Sequence, residues 1–431
     1  MAGTNLPFGS ALARKVYGAG VFAEMYRQPT LTNKLVGSIP KQSAAEIKAE
    51  KGQSSPDMPI VQVRDLSKGG GDVASIDLFN ILVGKPIMGD EKIAGKLMDL
   101  TYDSQDIKLD QMRGGFDAGG RMTAQRTVHN LRSMGKKMLS GWWSRASEQC
   151  RLVHMAGARG GQNDPSWVIP ARSDPDFAKI MVNDVKAPTY TRALVVDGTD
   201  GDLIQSVPAW YTTDVANTDK MTLNSINIMR TICDESSAPL QDIRLAGDKS
   251  QGMEPLAMLL VTPRQWQELW HSTTSSNDWE TFLRDARERA ASNPLFSGNN
   301  VGMWNGILVR KYMYPIRFGW DANLQVATSA ADHTESTVTI KSAVTGTNGK
   351  PGAIDRAMLI GAQALAECWG KNSASGTHMN WYEREVAEDH GATFEASASG
   401  IGGTSKITFK SKDGKDYDHG VYAIDSFVEG L

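Results

Sequence analysis

Between Met58 and Ala156 the chain carries an extended, glycine-punctuated ribbon that runs into an unusually long, basic, amphipathic helix. A ribbon this poor in large apolar side chains forms only a marginal sheet alone, and a helix with one apolar stripe must lay that stripe on something. Both therefore need neighbours. The ribbon begins Met58-Pro-Ile-Val-Gln-Val-Arg64, continues Asp65-Leu-Ser-Lys-Gly-Gly-Gly-Asp72 and resumes Val73-Ala-Ser-Ile-Asp-Leu-Phe-Asn-Ile-Leu-Val83. Two β-rich runs around Gly69, Gly70 and Gly71 predict a β-hairpin with Lys68 to Gly71 at its tip, because glycine takes a positive φ at no steric cost. A second turn follows around Gly84-Lys85-Pro86, and the chain returns from Tyr102 to Phe116.

From Arg121 the hydrophobic period changes. Val128, Leu131, Gly135, Met138, Trp142, Ala146, Cys150 and Val153 recur at steps of three and four, which predicts a helix over 123–156 with Thr123 as N-cap and Gly157 as the glycine that ends it. Arg121, Arg126, Arg132, Lys136, Lys137, Arg145 and Arg151 surround the stripe, and within the helix only Glu148 opposes them. Of the adjacent Trp142 and Trp143, the first is assigned to the core and the second to an interface, since consecutive helical positions cannot both face inward. A cationic helix of this kind is ordinarily a solvated face, or one paired with carboxylates of neighbouring elements. The other reading is a face set against phosphates, where Lys and Arg offset repulsion without reading sequence.

The rest of the chain reads as mixed helix and strand without regular βαβ alternation, an α+β class. Helices are expected at Ser10 to Gln28, after the Ser43 to Glu46 capping box, and at Thr222 to Glu235. Ala257 to Val261 reads as a buried strand followed by a helix start, where Thr262 caps, Pro263 takes the first position and Gln265 completes the box. A further helix runs from Asn277 or Asp278 through Arg289, with Glu280–Arg284 and Asp285–Arg289 at i,i+4 spacing, and Ile307 to Lys311 is a strand. Residues 321–350 are rich in Thr, Ser, Ala and Asp and read as an exposed insertion with a small hairpin that leaves the core to its neighbours. The last 60 or so residues are rich in strands.

Several segments carry a family likeness. The segments Ala13 to Glu24, Lys68 to Asp72, Asp110 to Phe116 and Gly120 to Arg126 resemble the major capsid proteins of N-four-like tailed bacteriophages. Leu260 to Pro263, Asn293 to Gly298, Trp304 to Val309, Leu359 to Ala364, Trp381 to Glu385 and Asp418 to Tyr422 fit the same pattern in the same order. The resemblance implies the Hong Kong 97-type capsid fold. It divides the chain into an N-terminal arm (1–57), an extended loop (58–118), a peripheral domain with the spine helix (119–220), an axial domain (221–370) and returning C-terminal strands (371–431). The function it implies is a major capsid protein, assembled in the bacterial cytoplasm, whose hexamers and pentamers build an icosahedral virion shell around double-stranded DNA. Portal and decoration proteins are further partners it implies. On this reading Lys68, Gly69, Gly70, Gly71 and Lys85 lie at inter-subunit contacts of the extended loop, and Arg126, Arg132, Lys136 and Lys137 face the DNA without sequence specificity.

Composition sets the bounds of the alternative. With 431 residues and 40% hydrophobic content the chain is long enough for more than one core. A formal net charge of −3 argues against a wholly basic nucleic-acid binder while leaving room for one cationic face. Cys150, Cys233 and Cys368 form no CxxC pair, and no apolar run approaches a membrane span or an export signal. No P-loop, nucleophile elbow or HExxH occurs, and the seven histidines adopt no two-ligand helical spacing, so no catalytic residue, metal or cofactor is expected. Asp197 to Asp202 and Asp413 to Asp418 read as Asp/Gly turns, with a Ca²⁺ loop as the alternative for each. The competing function is a soluble enzyme or carbohydrate-binding β-rich protein whose carboxylates are scattered in sequence.

Overall fold

Strands β1 (Ile60–Leu66), β2 (Val73–Phe79), β3 (Tyr102–Lys108) and β4 (Asp110–Gly120) precede a single long helix, Leu131–Ala156. The computed structural model describes residues 21–25, 30–37, 54–66, 72–79, 85–97, 102–120, 125–127, 129–245, 247–250, 253–273, 276–290, 293–296, 298, 301–370, 377–385, 393–411 and 413–430. After the helix come β5 (Ala193–Asp197), β6 (Asp202–Gln205), β7 (Ala257–Val261), β8 (Val301–Trp304), β9 (Ile307–Lys311), β10 (Arg317–Phe318), β11 (Asn323–Ala327) and β12 (Glu335–Thr339). Strands β13 (Ala353–Ile360), β14 (Leu365–Gly370), β15 (Met379–Glu385), β16 (Thr393–Lys406), β17 (Thr408–Lys410), β18 (Asp416–Asp418) and β19 (Val421–Val428) complete the order. The expected helices Ser10 to Gln28, apart from residues 21–25, and Ser43 to Glu46 lie outside the described residues.

An eight-stranded mixed sheet runs β6-β5-β19-β13-β7-β9-β8, with β10 also on β13. Its central strands β7, β13 and β19 are buried along their whole length, as strands covered on both faces must be. Side-chain alternation divides them between two cores. Met258, Leu260, Ile354, Met358 and Ile360 join the C-terminal half of the long helix, while Leu259, Val261, Ala357 and Leu359 meet Leu223–Glu235, Pro263–Ser272 and Ser276–Ala290 on the other face. The helix starts expected at Thr222 and Thr262 both form, each with a reciprocal capping box. The Asp285–Arg289 pair does not, because Arg289 turns inward to Asp248, with Nε donating to Oδ1 over 2.9 Å.

A five-stranded sheet carries β1-β14-β16-β15, with β4 pairing along β16. It corrects the expected hairpin. β1 lies parallel to β14, Ile60 opposite Leu365 and Val63 opposite Cys368, while β2 pairs antiparallel with β3, Val73 opposite Lys108 and Phe79 opposite Tyr102. Gly69 to Gly71 therefore link a strand of the sheet to a separate hairpin and are not that hairpin's tip; Lys68 and the three glycines lie outside the described residues. Burial explains the choice: Ile60, Val61 and Gln62 are enclosed, an environment a two-stranded ribbon cannot provide.

Residues 321–350 contain the expected hairpin, β11 on β12, yet they are not a purely surface excursion. Leu324, Val326, Val338 and Ile340 alternate inward and join the largest apolar cluster. Polar composition concealed a period-2 face, since Asn323, Gln325, Thr337 and Thr339 occupy the outward positions. Replacing Leu324 or Ile340 by alanine should cost about 2–4 kcal/mol in urea unfolding of the full chain, and excising 321–350 should yield insoluble protein. Unchanged unfolding midpoints would contradict this core role.

Candidate functional site

The long helix changes character along its length. Asn130 caps it, its side-chain oxygen accepting the Ser133 N–H over 3.1 Å, and Gly157 ends it at φ +65°. The regular helix thus starts at Leu131 and not at Thr123, because Asn130 satisfies the free N–H groups there. Its 26 residues span about 39 Å. From Glu148 to Ala156 every residue is buried, whereas Met134 and Met138 lie exposed on the first half. Trp143 is buried and Trp142 only partly so, the reverse of the expected assignment; Leu139, Trp143 and Ala146 form the inward stripe.

Two glycines on this helix have opposite surroundings. A Cβ on Gly135 would collide with the Phe116 ring of β4, so Gly135 is what lets the strand lie against the helix. Gly141 has nothing among the described residues within 4 Å of the same atom. Between β4 and the helix runs an open groove of about 810 Å³, lined by Phe116, Leu131, Met134, Met138, Trp142 and Arg145.

The basic residues also separate. Arg151 is buried and forms a bidentate ion pair with Glu367 of β14, Nη2 donating to Oε2 over 2.8 Å. Arg132 pairs with Glu383 of β15 and lies over the Phe394 ring at 5.4 Å. Arg126 and Lys137 are exposed, and Lys136 is half-buried. The excess of seven cations over one acid is thus reduced by carboxylates from strands distant in sequence. Arg121 lies outside the described residues.

The hairpin β2/β3 is fastened at its base and open at its far end. Asn183 clasps Lys108 from both sides, its Oδ1 accepting the Lys108 N–H at 2.8 Å and its Nδ2 donating to the Lys108 carbonyl at 3.0 Å. Gln105 bridges in the same way to β16 and β17, donating to the Lys406 carbonyl at 2.8 Å and accepting from Thr408 N–H at 2.9 Å. Ala74 and Ile107 pack with Cys368, Ile407 and Phe409 beneath it. Beyond this base, residues 85–97 form an exposed excursion in which Lys85 is solvated and Met88 and Leu97 are 73% and 71% exposed, with Ile93 nearby in sequence at 62%. These side chains were missed in the sequence, although an apolar residue at 88, 93 and 97 between turn glycines is the available signal.

The two Asp-rich stretches are turns, and in the second the carboxylates are engaged elsewhere. Asp197 and Asp202 close the β5/β6 hairpin, with Gly198 and Gly201 at positive φ. Asp418 pairs with Lys406 at 2.8 Å, and Asp416 accepts the His333 N–H at 2.8 Å. Among the described residues there is no group of three or more His, Cys, Asp or Glu suited to a metal, and no helix long and apolar enough to cross a membrane.

A family model described as phage capsid protein matches residues 5–429. The chain belongs to that family. It is 27% identical over 255 residues to a major capsid protein of Pseudomonas phage KPP25, a match covering 59% of this chain and 63% of that relative. The chain thus matches just under two thirds of that relative's length. Its fold is similar to the capsid of Ralstonia phage GP4, with TM-score 0.66, 23% identity, and coverage of 91% and 93% of the two chains. The capsid of cyanophage Pam1 is similar at TM-score 0.56, 16% identity, and 88% and 90% coverage. The head of Helicobacter pylori bacteriophage KHP40 gives TM-score 0.56, 14% identity, and 93% and 91% coverage. The fold is the Hong Kong 97-type capsid fold, with its long helix laid on a strand-rich body and its projecting hairpin.

The contrast between the glycines yields a test with opposite signs. Gly141→Ala should stabilise this capsid-family chain by up to about 1 kcal/mol, the helix propensity difference, whereas Gly135→Ala should destabilise it by pushing Phe116 off the helix. Denaturant midpoints of the two variants decide it, and the same sign for both would refute the close-approach role of Gly135.

Proposed function

We propose that this protein is the major shell subunit of a phage head and works by self-association. What carries the reading is the exposed apolar end of a hairpin whose base is rigidly clasped: Met88, Ile93 and Leu97 find no cover within their own described fold. A second copy supplies it, in the groove beside Met134, Met138 and Trp142. Repetition of this head-to-tail contact around capsomers builds a closed lattice. Family membership supports the same conclusion, and the affiliation with N-four-like phages is part of the proposal.

On this reading the chain keeps an N-terminal arm, an extended loop, a peripheral domain and an axial domain, but the loop is the β2/β3 hairpin with residues 85–97, while β1, β4 and β14 go with the peripheral part. The five-stranded sheet with the helix forms the peripheral part, and the eight-stranded sheet forms the axial part. Lys85 lies in the inter-subunit excursion. No turnover is involved, and the subunit assembles in the host cytoplasm into hexamers and pentamers around DNA, alongside portal and decoration proteins. The exposed start of the helix and the segment before it, with Arg126, Lys136 and Lys137 and with Arg132 as a partly neutralised member, face the packaged duplex and lower phosphate repulsion.

Two experiments test the separate parts. Replacing Met88, Ile93 and Leu97 together by serine should leave circular dichroism and unfolding of the free subunit unchanged while abolishing particles in negative-stain images; normal particle yield would sink the overlap. Replacing Arg126, Arg132, Lys136 and Lys137 by glutamine should leave particles intact but reduce retained DNA, increasingly so as salt is raised. DNA content equal to wild type at every ionic strength would show that this face does not meet the genome.

A further inference from the structure

A cavity of about 330 Å³ lies between the long helix and the five-stranded sheet. Trp143, Ser147, Cys150 and His154 form one wall, spaced four, three and four residues apart so that they share a helix face. The facing strand β16 contributes Gly400, Gly402 and Gly403, which carry no side chain to fill the space. Larger residues are barred there by the sheet itself. A Cβ on Gly403 would collide with the Lys108 carbonyl oxygen, and one on Gly402 would press on the Cys368 carbonyl oxygen at 3.2 Å.

The cavity is also chemically incomplete. Trp143 Nε1, Trp369 Nε1 and His154 Nε2 are buried on lining residues and have no hydrogen-bond partner among the described residues. Each therefore carries an uncompensated desolvation cost. Asp110, Arg113 and Lys179 also line it but are solvent-exposed, and the buried carboxylate of the lining, Glu367, is already engaged by Arg151. Burial pushes the His154 pKa down to about 4, and the ring hydrogen-bonds the Met181 backbone, which leaves a neutral imidazole with a free acceptor nitrogen. Two donors and one acceptor, set among Trp, Met and Ile side chains with the buried carboxylate paired and the other lining charges in solvent, suit an uncharged amphipathic molecule and disfavour an ion.

We propose that this cavity is a binding site for a small neutral molecule with an apolar ring and an amide group, whose carbonyl accepts an indole N–H and whose N–H donates to His154 Nε2. An occupant would touch helix and sheet at once and so brace the helix against the sheet. Nothing in the family assignment or the assembly reading requires such a site.

Benzamide, benzoate and toluene serve as probes of similar shape and different polarity. With the full chain, saturation-transfer NMR and thermal melting should show dose-dependent binding and stabilisation by benzamide, with benzoate and toluene far weaker. Trp143→Phe and His154→Phe should each weaken benzamide roughly fivefold or more, the size of one lost hydrogen bond. Cys150→Phe should abolish binding by filling the space; if that variant does not fold, Ser147→Leu blocks the same wall. No binding by any probe, a cavity occupied by water alone, would overturn the proposal. So would benzamide binding that survives the blocking substitution, or toluene binding equal to benzamide.

Discussion

The ion pair between Arg151 and Glu367 joins four segments that are distant in sequence. Arg151 reaches the sheet through Glu367, and its other amino group donates to Thr32 Oγ1 at 3.2 Å and Asn33 Oδ1 at 2.7 Å. Gln62 of β1 donates to the same carboxylate. Glu148, one turn earlier, accepts backbone N–H groups of Leu31 and Thr32, and burial raises its pKa against the pull of Arg151. Helix, sheet, first strand and the segment at Leu31–Lys34 are thereby fixed to each other by charge-assisted bonds in a dry environment. Removing either charge alone would leave its partner buried and unpaired, at about 3–5 kcal/mol, whereas an apolar pair of similar volume could be tolerated. The pair specifies arrangement more than it adds stability.

A second fastening acts at the far end of the helix. Arg356 of β13 donates to the Ala156 carbonyl at 2.7 Å while it pairs with Asp425 of β19, also at 2.7 Å. A cation thus meets the negative end of the helix dipole and one of its unsatisfied carbonyls. The five-stranded sheet holds the middle of the helix and the eight-stranded sheet holds its end, so one rod sets the relation between the two.

Local signals in the sequence were reliable at several element ends, although the long helix is capped by Asn130 and not, as expected, by Thr123. The capping box at Thr262, the helix expected at Thr222 to Glu235, the buried run Ala257–Val261 and the terminating Gly157 all formed as their residue types dictate. Failures came from long-range competition. The β1 run looked like one arm of a hairpin until β14, some three hundred residues later, offered it an enclosed parallel site. Arg132 and Arg151 looked like surface cations because Glu383 and Glu367 lie on strands far along the chain. Pattern also fixed neither the order of Trp142 and Trp143 nor the inward face of β11 and β12, since small polar residues between apolar ones look alike in a loop and in a half-buried strand. Family likeness was legible because segment order along the chain survives where pairing cannot be read.

The clasped base of the hairpin has a consequence for how the free subunit behaves. Asn183 and Gln105 hold the strands in place whether or not a neighbour is present, so the distal side chains cannot fold back to hide Met88, Ile93 and Leu97. On the proposed assembly their burial comes from association, and its contribution then varies with the logarithm of subunit concentration. Such a chain has a threshold concentration below which it stays dispersed and above which added protein enters the assembled phase. The rigidity of two amide side chains thus helps set a solubility limit for the whole molecule.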